Sequence, residues 1–354
     1  MKICYIEPYL GFSHKHWIEG YKKHSSNEIA VVGLPARHWK WRMHGGAITL
    51  AKKVEEGCEV PDLFLISGMI DLPLFKSLLP SRFSNVPMQL YFHENQFAYP
   101  HSDYQDGKRN EHFSFINMKS ALVADKVYFN SEYNLKTFLE GSLKLVKKMP
   151  DFSNAEWVEE IRKKSKVLAL GMDYLKKVEV QKMTTPPLLL WNHRWEYDKN
   201  PELFFETLFE LDDEGLDFEL AILGESFRTS PAIFETAKER LKNKIKYWGF
   251  QSREDYERIV HQATLLPVTS NQDFFGISVI EAAAAGVRPL LPKRLAYPEH
   301  FPKEYFFSED GEFLTALREL IESPKDLSFK DMEKIKSYSW EFMAKEYDDE
   351  FSLN

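Results

Sequence analysis

Short, uninterrupted apolar runs recur along this chain. Between them lie longer stretches in which apolar residues return every three or four positions. The runs read as strands buried on both faces, and the 3.6-residue period reads as helices packed on a sheet. In the first half, strands are expected at Lys2–Ile6, Glu28–Leu34, Asp62–Ser67, Met88–His93, Lys126–Asn130 and Lys166–Ala169. Helical patterns such as His14–Lys23, Ser114–Val123 and Glu132–Lys147 separate them. The second half repeats the alternation, with strands at Leu188–Asn192, Phe218–Leu223, Lys244–Trp248, Thr264–Val268 and Arg288–Leu291. Its helices begin near Pro201, Ala232, Ser252 and Gly276. Such alternation predicts an α/β protein with two doubly wound parallel sheets. The polar stretch Lys176–Pro187 reads as a linker between domains at 1–180 and 186–330. The tail from about Ser328, with its aromatic Tyr338–Phe342, is expected to be helical.

Composition narrows the class. At 354 residues, 28% charged and 44% hydrophobic, the chain is globular and long enough for two cores. The net charge of −8 is uneven, +4 over residues 1–180 and −12 over 181–354. An acidic total argues against non-specific nucleic-acid binding, while the mildly basic first half leaves room for a local anionic contact. Cys4 and Cys58 are the only cysteines, so no disulfide framework is implied and a reducing compartment is expected. Met1-Lys2 leads straight into a strand, and no apolar run approaches the roughly 18 residues of a bilayer span. The expectation is a complete cytoplasmic protein without a membrane partner; its oligomeric state is left open. The turn after the first strand, Glu7-Pro-Tyr-Leu-Gly11-Phe-Ser13, lacks Gly-x-Gly-x-x-Gly, which argues against a dinucleotide-dependent dehydrogenase.

The most informative chemistry lies in Asp273-Phe274-Phe275-Gly276-Ile277-Ser278-Val-Ile-Glu281-Ala-Ala-Ala-Ala-Gly286. One carboxylate precedes a glycine that opens a helix, and a second sits inside that helix. Helical spacing puts Glu281 between Ile277, Ala284 and Ala285, on the face expected to pack inward. A carboxylate buried there needs donors, which vicinal hydroxyls of a ligand would supply. The amides around Gly276 suit a phosphate. The plainer alternative is a core helix whose glutamate pairs with a basic residue elsewhere. Upstream, Trp191-Asn192-His-Arg194-Trp-Glu-Tyr-Asp-Lys199-Asn200-Pro201 combines a strand end, two cations, and Asn200 and Pro201 as helix cap and first helical position. Arg194 can fork onto phosphate oxygens and Lys199 can act as a point charge beside them. Hydroxyls and phosphate together describe a nucleotide sugar.

In the first half, His93, Glu94 and Asn95 follow a strand at the edge where a ligand crevice is expected. Gly11 permits close backbone approach to a ligand, or is an ordinary turn glycine. His14 and His16 on one helix point to different faces, so no metal site is read there. The segment Arg37-His-Trp39-Lys40-Trp41-Arg42-Met-His-Gly-Gly46 interleaves cations with tryptophans, suited to phosphate contact and base stacking. Its glycines suggest an adjustable loop; the alternative is tryptophans packed on the domain and cations facing water.

The Asp273…Glu281 segment with Arg194 and Lys199 resembles the acidic motif and basic pair of family 4 retaining glycosyltransferases of the GT-B fold. The usual first acid there is glutamate, and here it is Asp273. Tyr5–Lys15, Pro35–Met43, Tyr91–Pro100 and Phe129–Asn134 are similar to the branch containing the tRNA-queuosine mannosyltransferases, which tends to carry Gly-Gly-Ser-His where this chain has Gly11-Phe12-Ser13-His14. The resemblance implies two Rossmann-like domains facing a central cleft, with the final helix, about 335–354, crossing back to the first. It further implies mannose transfer from GDP-mannose to queuosine at the wobble position of a tRNA, with retention, no metal and no cofactor. His93, Arg194, Lys199, Asp273 and Glu281 would then be catalytic. Gly11, Asn192, Phe274, Phe275, Gly276 and Ile277 would join the last four around the donor. His14, Arg37, Trp39, Lys40, Trp41, Arg42, Glu94 and Asn95 would meet the RNA acceptor. Alternatives are a hexose transferase acting on a small molecule or glycan, and a non-catalytic nucleotide- or RNA-binding relative.

Overall fold

The computed structural model describes residues 1–99, 111–224 and 230–352, except for the side chain of Phe12. Pro100, which closes the Tyr91–Pro100 motif, lies outside them. The chain divides into two compact units, Met1–Asp173 together with the segment from Tyr338 onward, and Tyr174–Ser337. Residues 176–187 belong to the second unit.

The first unit is built on strands β1 (Lys2–Leu10), β2 (Glu28–Pro35), β3 (Leu63–Ser67), β4 (Met88–Phe92), β5 (Lys126–Phe129) and β6 (Ser165–Val167). They form one parallel sheet in the order β2-β1-β3-β4-β5-β6. Every residue of β3 and β4 is buried, as expected of strands covered by helices on both faces. The second unit repeats the plan with β7 (Leu188–Trp191), β8 (Glu219–Leu223), β9 (Ile245–Gly249), β10 (Leu265–Pro267), β11 (Arg288–Pro292) and β12 (Phe306–Phe307). Their order, β12-β11-β10-β7-β8-β9, is again parallel throughout. In each sheet the connections reverse direction beside the first strand, between β1 and β3 and between β7 and β10. Ligands of doubly wound folds bind outside the carboxyl ends of the strands at such a reversal.

The segment from Tyr338 returns to the first unit as the helix Trp340–Phe351. Trp340 is seated where Gly20 and Gly171 leave room; an added Cβ would lie 2.1 Å and 2.5 Å from its ring. The Tyr347 hydroxyl donates to the Ala169 carbonyl at 2.6 Å and accepts from Trp17 Nε1 at 3.1 Å. Asp348 accepts from the Tyr21 hydroxyl, the Ser26 amide and Asn27 Nδ2. Burial would raise the Asp348 carboxyl, but donors from Ser25, Ser26 and Tyr21 outweigh it and hold it below the usual carboxylate range.

One expected loop is a helix. Residues Trp39–Gly57 are helical, so Gly45 and Gly46 lie inside regular structure. Met43, Gly46, Ala47, Leu50, Ala51 and Val54 are buried, and this tertiary face outweighs the poor helix propensity of two adjacent glycines. Gly46 lets the helix approach Pro8, and Gly45 makes room for the Trp41 ring. Among the described residues, no helix is long and apolar enough to cross a membrane.

Candidate active site

In the second unit, the loops after β7 and β10 meet because these strands are neighbours. This adjacency brings the basic and acidic segments together across more than seventy residues of sequence. Lys199 is buried; its Nζ donates to the Gln272 carbonyl at 2.7 Å and lies 3.2 Å from Asp198 Oδ2 and 3.9 Å from Asp273 Oδ2. Arg194 is about half exposed and pairs with Glu196 at 3.0 Å. A buried ammonium thus lies in a loop that also carries a half-exposed guanidinium.

Asp273 is the local organiser. Its Oδ1 accepts from the Gly276 amide at 2.8 Å, and its Oδ2 accepts from the Tyr297 hydroxyl at 3.3 Å. The Gly276 amide, read from sequence as a phosphate donor, is therefore already engaged. The first amide bonded within the helix is that of Ile280, to the Gly276 carbonyl at 2.9 Å. The amides of Ile277, Ser278 and Val279 precede it and keep the anion-favouring character of a helix start. Gly276 adopts φ +88°, a left-handed conformation that disfavours side chains, and a Cβ there would approach Tyr297 to 2.9 Å. The Phe274 and Phe275 rings are buried, and Ile277 is exposed. Asn200 precedes the helix Pro201–Asp213 in a left-handed conformation and makes no side-chain cap, so Pro201 alone meets the helix-start expectation.

The helix Ile277–Ala284 buries Val279, Ile280, Ala282 and Ala283 rather than the face bearing Glu281. A helix apolar on nearly every side leaves its inward face undecided by pattern alone. Glu281 is partly buried and takes a hydrogen bond from the Tyr256 hydroxyl at 2.8 Å and one from Arg253 Nη1 at 3.2 Å. The plainer alternative, a glutamate paired with a basic residue elsewhere, is thus what Arg253 provides, with Tyr256 beside it. Burial raises its carboxyl above the usual range, with Tyr256 and Arg253 pulling the other way. Arg253 is mostly exposed, so that pairing sits at the surface.

Neither Arg253 nor Tyr256 was singled out by sequence, and neither was His193. Asn192 Nδ2 donates to the Ser278 carbonyl at 2.9 Å and to the Tyr256 hydroxyl at 3.2 Å, joining the strand end to the acidic helix. His193 shares a 2.9 Å hydrogen bond between Nδ1 and the Ser278 hydroxyl, and its buried Nε2 has no hydrogen-bond partner among the described residues. Burial and the nearby Lys199 pull the His193 imidazole down to about 3. A neutral histidine between cations was hidden in the sequence as one letter of a motif.

In the first unit, His93 and Glu94 follow β4, and His14 lies in the first turn of the helix after β1. The His93 and His14 rings stack with centroids 4.2 Å apart. Asn95 is fully buried: its amide donates to Asn134 and Thr137, and its carbonyl oxygen accepts from the Phe97 and Ala98 amides. Its expected contact with the acceptor is replaced by a structural role in this loop. Gly11 has extended backbone, and an added Cβ would fall 2.5 Å from Ala36 Cβ, so the chain itself accounts for this glycine. On the helix Trp39–Gly57, Trp39 is half-buried against Phe113 and Trp41 is 64% exposed. Arg37 and Lys40 are exposed, while Arg42 donates to the Pro35 carbonyl at 3.2 Å. The structure thus separates the two tryptophans. Trp39→Ala is expected to lower the unfolding midpoint, whereas Trp41→Ala should leave it in place. Thermal melts of the two variants read the difference.

Two parallel six-stranded sheets in this strand order are the plan of the GT-B fold. Solved structures share the fold at low identity. Sucrose-phosphate synthase from Thermosynechococcus elongatus aligns with TM-score 0.73 and 13% identity over 99% of this chain and 98% of that one. Anabaena HepE, in complex with UDP and glucose, aligns with TM-score 0.67 and 13% identity over the whole of both chains. Residues 2–172 match the family described as tRNA-queuosine alpha-mannosyltransferase N-terminal, and residues 175–338 match glycosyl transferases group 1. The tRNA-queuosine alpha-mannosyltransferase of Drosophila melanogaster is 33% identical over 337 residues, 91% of this chain and 88% of that protein. The chain belongs to the tRNA-queuosine alpha-mannosyltransferase family.

Proposed function

We propose that this protein transfers mannose from GDP-mannose to a hydroxyl of queuosine in the anticodon of a tRNA, in the cytoplasm and with retention of configuration. The observation that carries the reading is Lys199 lying 3.9 Å from Asp273 at the strand reversal of the second unit, with Arg194 in the same loop as Lys199 and Glu281 on the helix that follows Asp273. The similarity to the Drosophila enzyme supports the acceptor.

In this reading the acceptor oxygen forms a bond to the anomeric carbon as the bond to the donor diphosphate breaks. The leaving diphosphate takes the acceptor's proton. Charge growing on that diphosphate meets Lys199, Arg194 and the amides that open the helix Ile277–Ala284, a preorganised positive surface. These groups supply the positive charge without calling on a divalent ion. The Asp273 Oδ2, 3.3 Å from the Tyr297 hydroxyl and 3.9 Å from Lys199 Nζ, is assigned to hydroxyls of the transferred sugar. Glu281 exchanges its surface bond from Arg253 for ribose hydroxyls while keeping Tyr256. His93 is assigned to the transferred sugar. The exposed Arg37, Lys40 and Trp41 are assigned to the RNA.

Incubating the protein with GDP-mannose and queuosine-bearing tRNA should shift the tRNA in an acid–urea gel. UDP- and ADP-sugars should fail to replace the donor. An unshifted tRNA with GDP-mannose present would remove the assignment.

A further inference from the structure

At the sheet reversal of the first unit, Glu7, His14, Glu94 and His93 form a cluster that the transfer chemistry above does not use as a whole. Glu7, near the end of β1, is fully buried and accepts from the Tyr5 hydroxyl at 2.8 Å, the Tyr9 amide at 2.8 Å and the Ser67 hydroxyl at 2.9 Å. Its Oε2 also holds His14 Nδ1 at 2.9 Å. The other nitrogen of that ring, Nε2, lies 3.0 Å from Glu94 Oε2. A histidine bonded to a carboxylate at each nitrogen is a doubly charged-paired imidazolium.

Burial alone would lower the His14 imidazole, but Glu94 and Glu7 outweigh it and hold it well above its usual value. The same cation, after burial, pushes the stacked His93 well below the usual range. The cluster therefore carries two negative charges against one positive. Among the described residues no lysine or arginine pairs with Glu7 or Glu94. Glu7 and His14 are sealed in, and the surplus charge emerges at Glu94, whose side chain is 23% exposed. Beside it His93, 93% buried among His14, Trp17 and Tyr91, keeps an Nε2 with no hydrogen-bond partner among the described residues. A partly exposed carboxylate clamped by a buried ion pair, next to an unsatisfied imidazole, favours a cation that also carries hydrogen-bonding groups.

We propose that Glu94, positioned by Glu7 through His14, binds a protonated amine of the acceptor and so selects a hydroxyl-bearing cation over a neutral hydroxylated base. This deepens the function proposed above and rests on it, because queuosine carries a secondary amine beside its cyclopentenediol. Glu94 is the recognising residue; Glu7 and His14 are positioning residues. No covalent step is involved.

The test uses full-length protein and an unmodified tRNA transcript into which queuine has been exchanged enzymatically, so that queuosine holds its only aliphatic amine. Half of this tRNA is acetylated at that amine, which removes the charge and keeps the diol. Wild type is expected to lose about tenfold or more in kcat/KM on the acetylated tRNA, chiefly through KM, the size expected when a charge-assisted contact is lost. Glu94→Gln should show the same loss on the unacetylated tRNA and little further loss on acetylation, with GDP-mannose affinity unchanged. Glu94→Asp should recover part of the difference. Equal use of both tRNAs by wild type, or an unchanged KM in Glu94→Gln, overturns the proposal. Should Glu94→Gln fail to fold, as its binding of GDP-mannose reports, the wild-type comparison decides alone. A wild type inactive on either tRNA would instead remove the queuosine reading itself.

Discussion

Arg194→Ala should reduce the rate of sugar transfer at saturating donor and acceptor on the order of 10²–10³-fold, the scale on which one preorganised donor to a developing negative charge acts. The protein should stay folded, because the side chain is about half exposed. Initial rates beside a thermal melt separate the two effects. Lys199→Ala is a less clean probe. Lys199 is buried with its ammonium on the Gln272 carbonyl and beside Asp198, which is itself 4% exposed. Removing it strands a buried carboxylate, so a loss of ~3–5 kcal/mol in stability should accompany the loss of transfer. A variant that keeps full transfer without Arg194 would mean that the guanidinium is a solvated surface charge.

Trp340→Ala should destabilise the first unit by ~3–5 kcal/mol, as expected for emptying a large aromatic site that cannot collapse. Its ring is 2% exposed, stacks on Tyr21 with centroids 6.0 Å apart, and fills the space left by Gly20 and Gly171. Both glycines are therefore expected to be intolerant positions, since a methyl at either collides with the ring. Urea unfolding followed by tryptophan fluorescence, with hydrogen exchange to locate the loss, reads the effect. The protection of β1, β3 and β4 should fall first. Equal loss in β7 to β11 would show instead that the tail stabilises both units alike.

The alternation of elements was legible because fully buried parallel strands leave unbroken apolar runs. Leu188–Trp191 announces itself this way, as does Ile3–Ile6, the part of the strand Lys2–Leu10 that the pattern marks. The helix Trp39–Gly57 did not, because its adjacent glycines mimic a loop and its burial depends on partners distant in sequence. Lys199 and Asp273 could be picked out as charges at a strand end and before a helix, and they lie 3.9 Å apart, whereas Arg194 and Glu281 take Glu196 and Arg253 as partners. The face of Glu281 was not legible, since the helix around it is apolar on most sides. Tyr256 and Arg253 reach Glu281 from another helix, and no local pattern marks them. Asn95 shows the opposite failure: a polar residue beside a candidate site satisfies every hydrogen bond inward, a distinction that only the positions of Asn134 and Thr137 reveal.

The proposed function requires the carboxyl edge of the second sheet to bind a nucleotide sugar through Arg194 and Lys199 at the diphosphate and Glu281 at the ribose. Calorimetric titration of GDP-mannose, in EDTA, into wild type, Arg194→Ala and Glu281→Gln tests it most directly. Binding by wild type, with affinity reduced about tenfold or more in both variants, is the expected result. A wild type that binds no GDP-mannose, or variants that bind it as tightly as wild type, would contradict it.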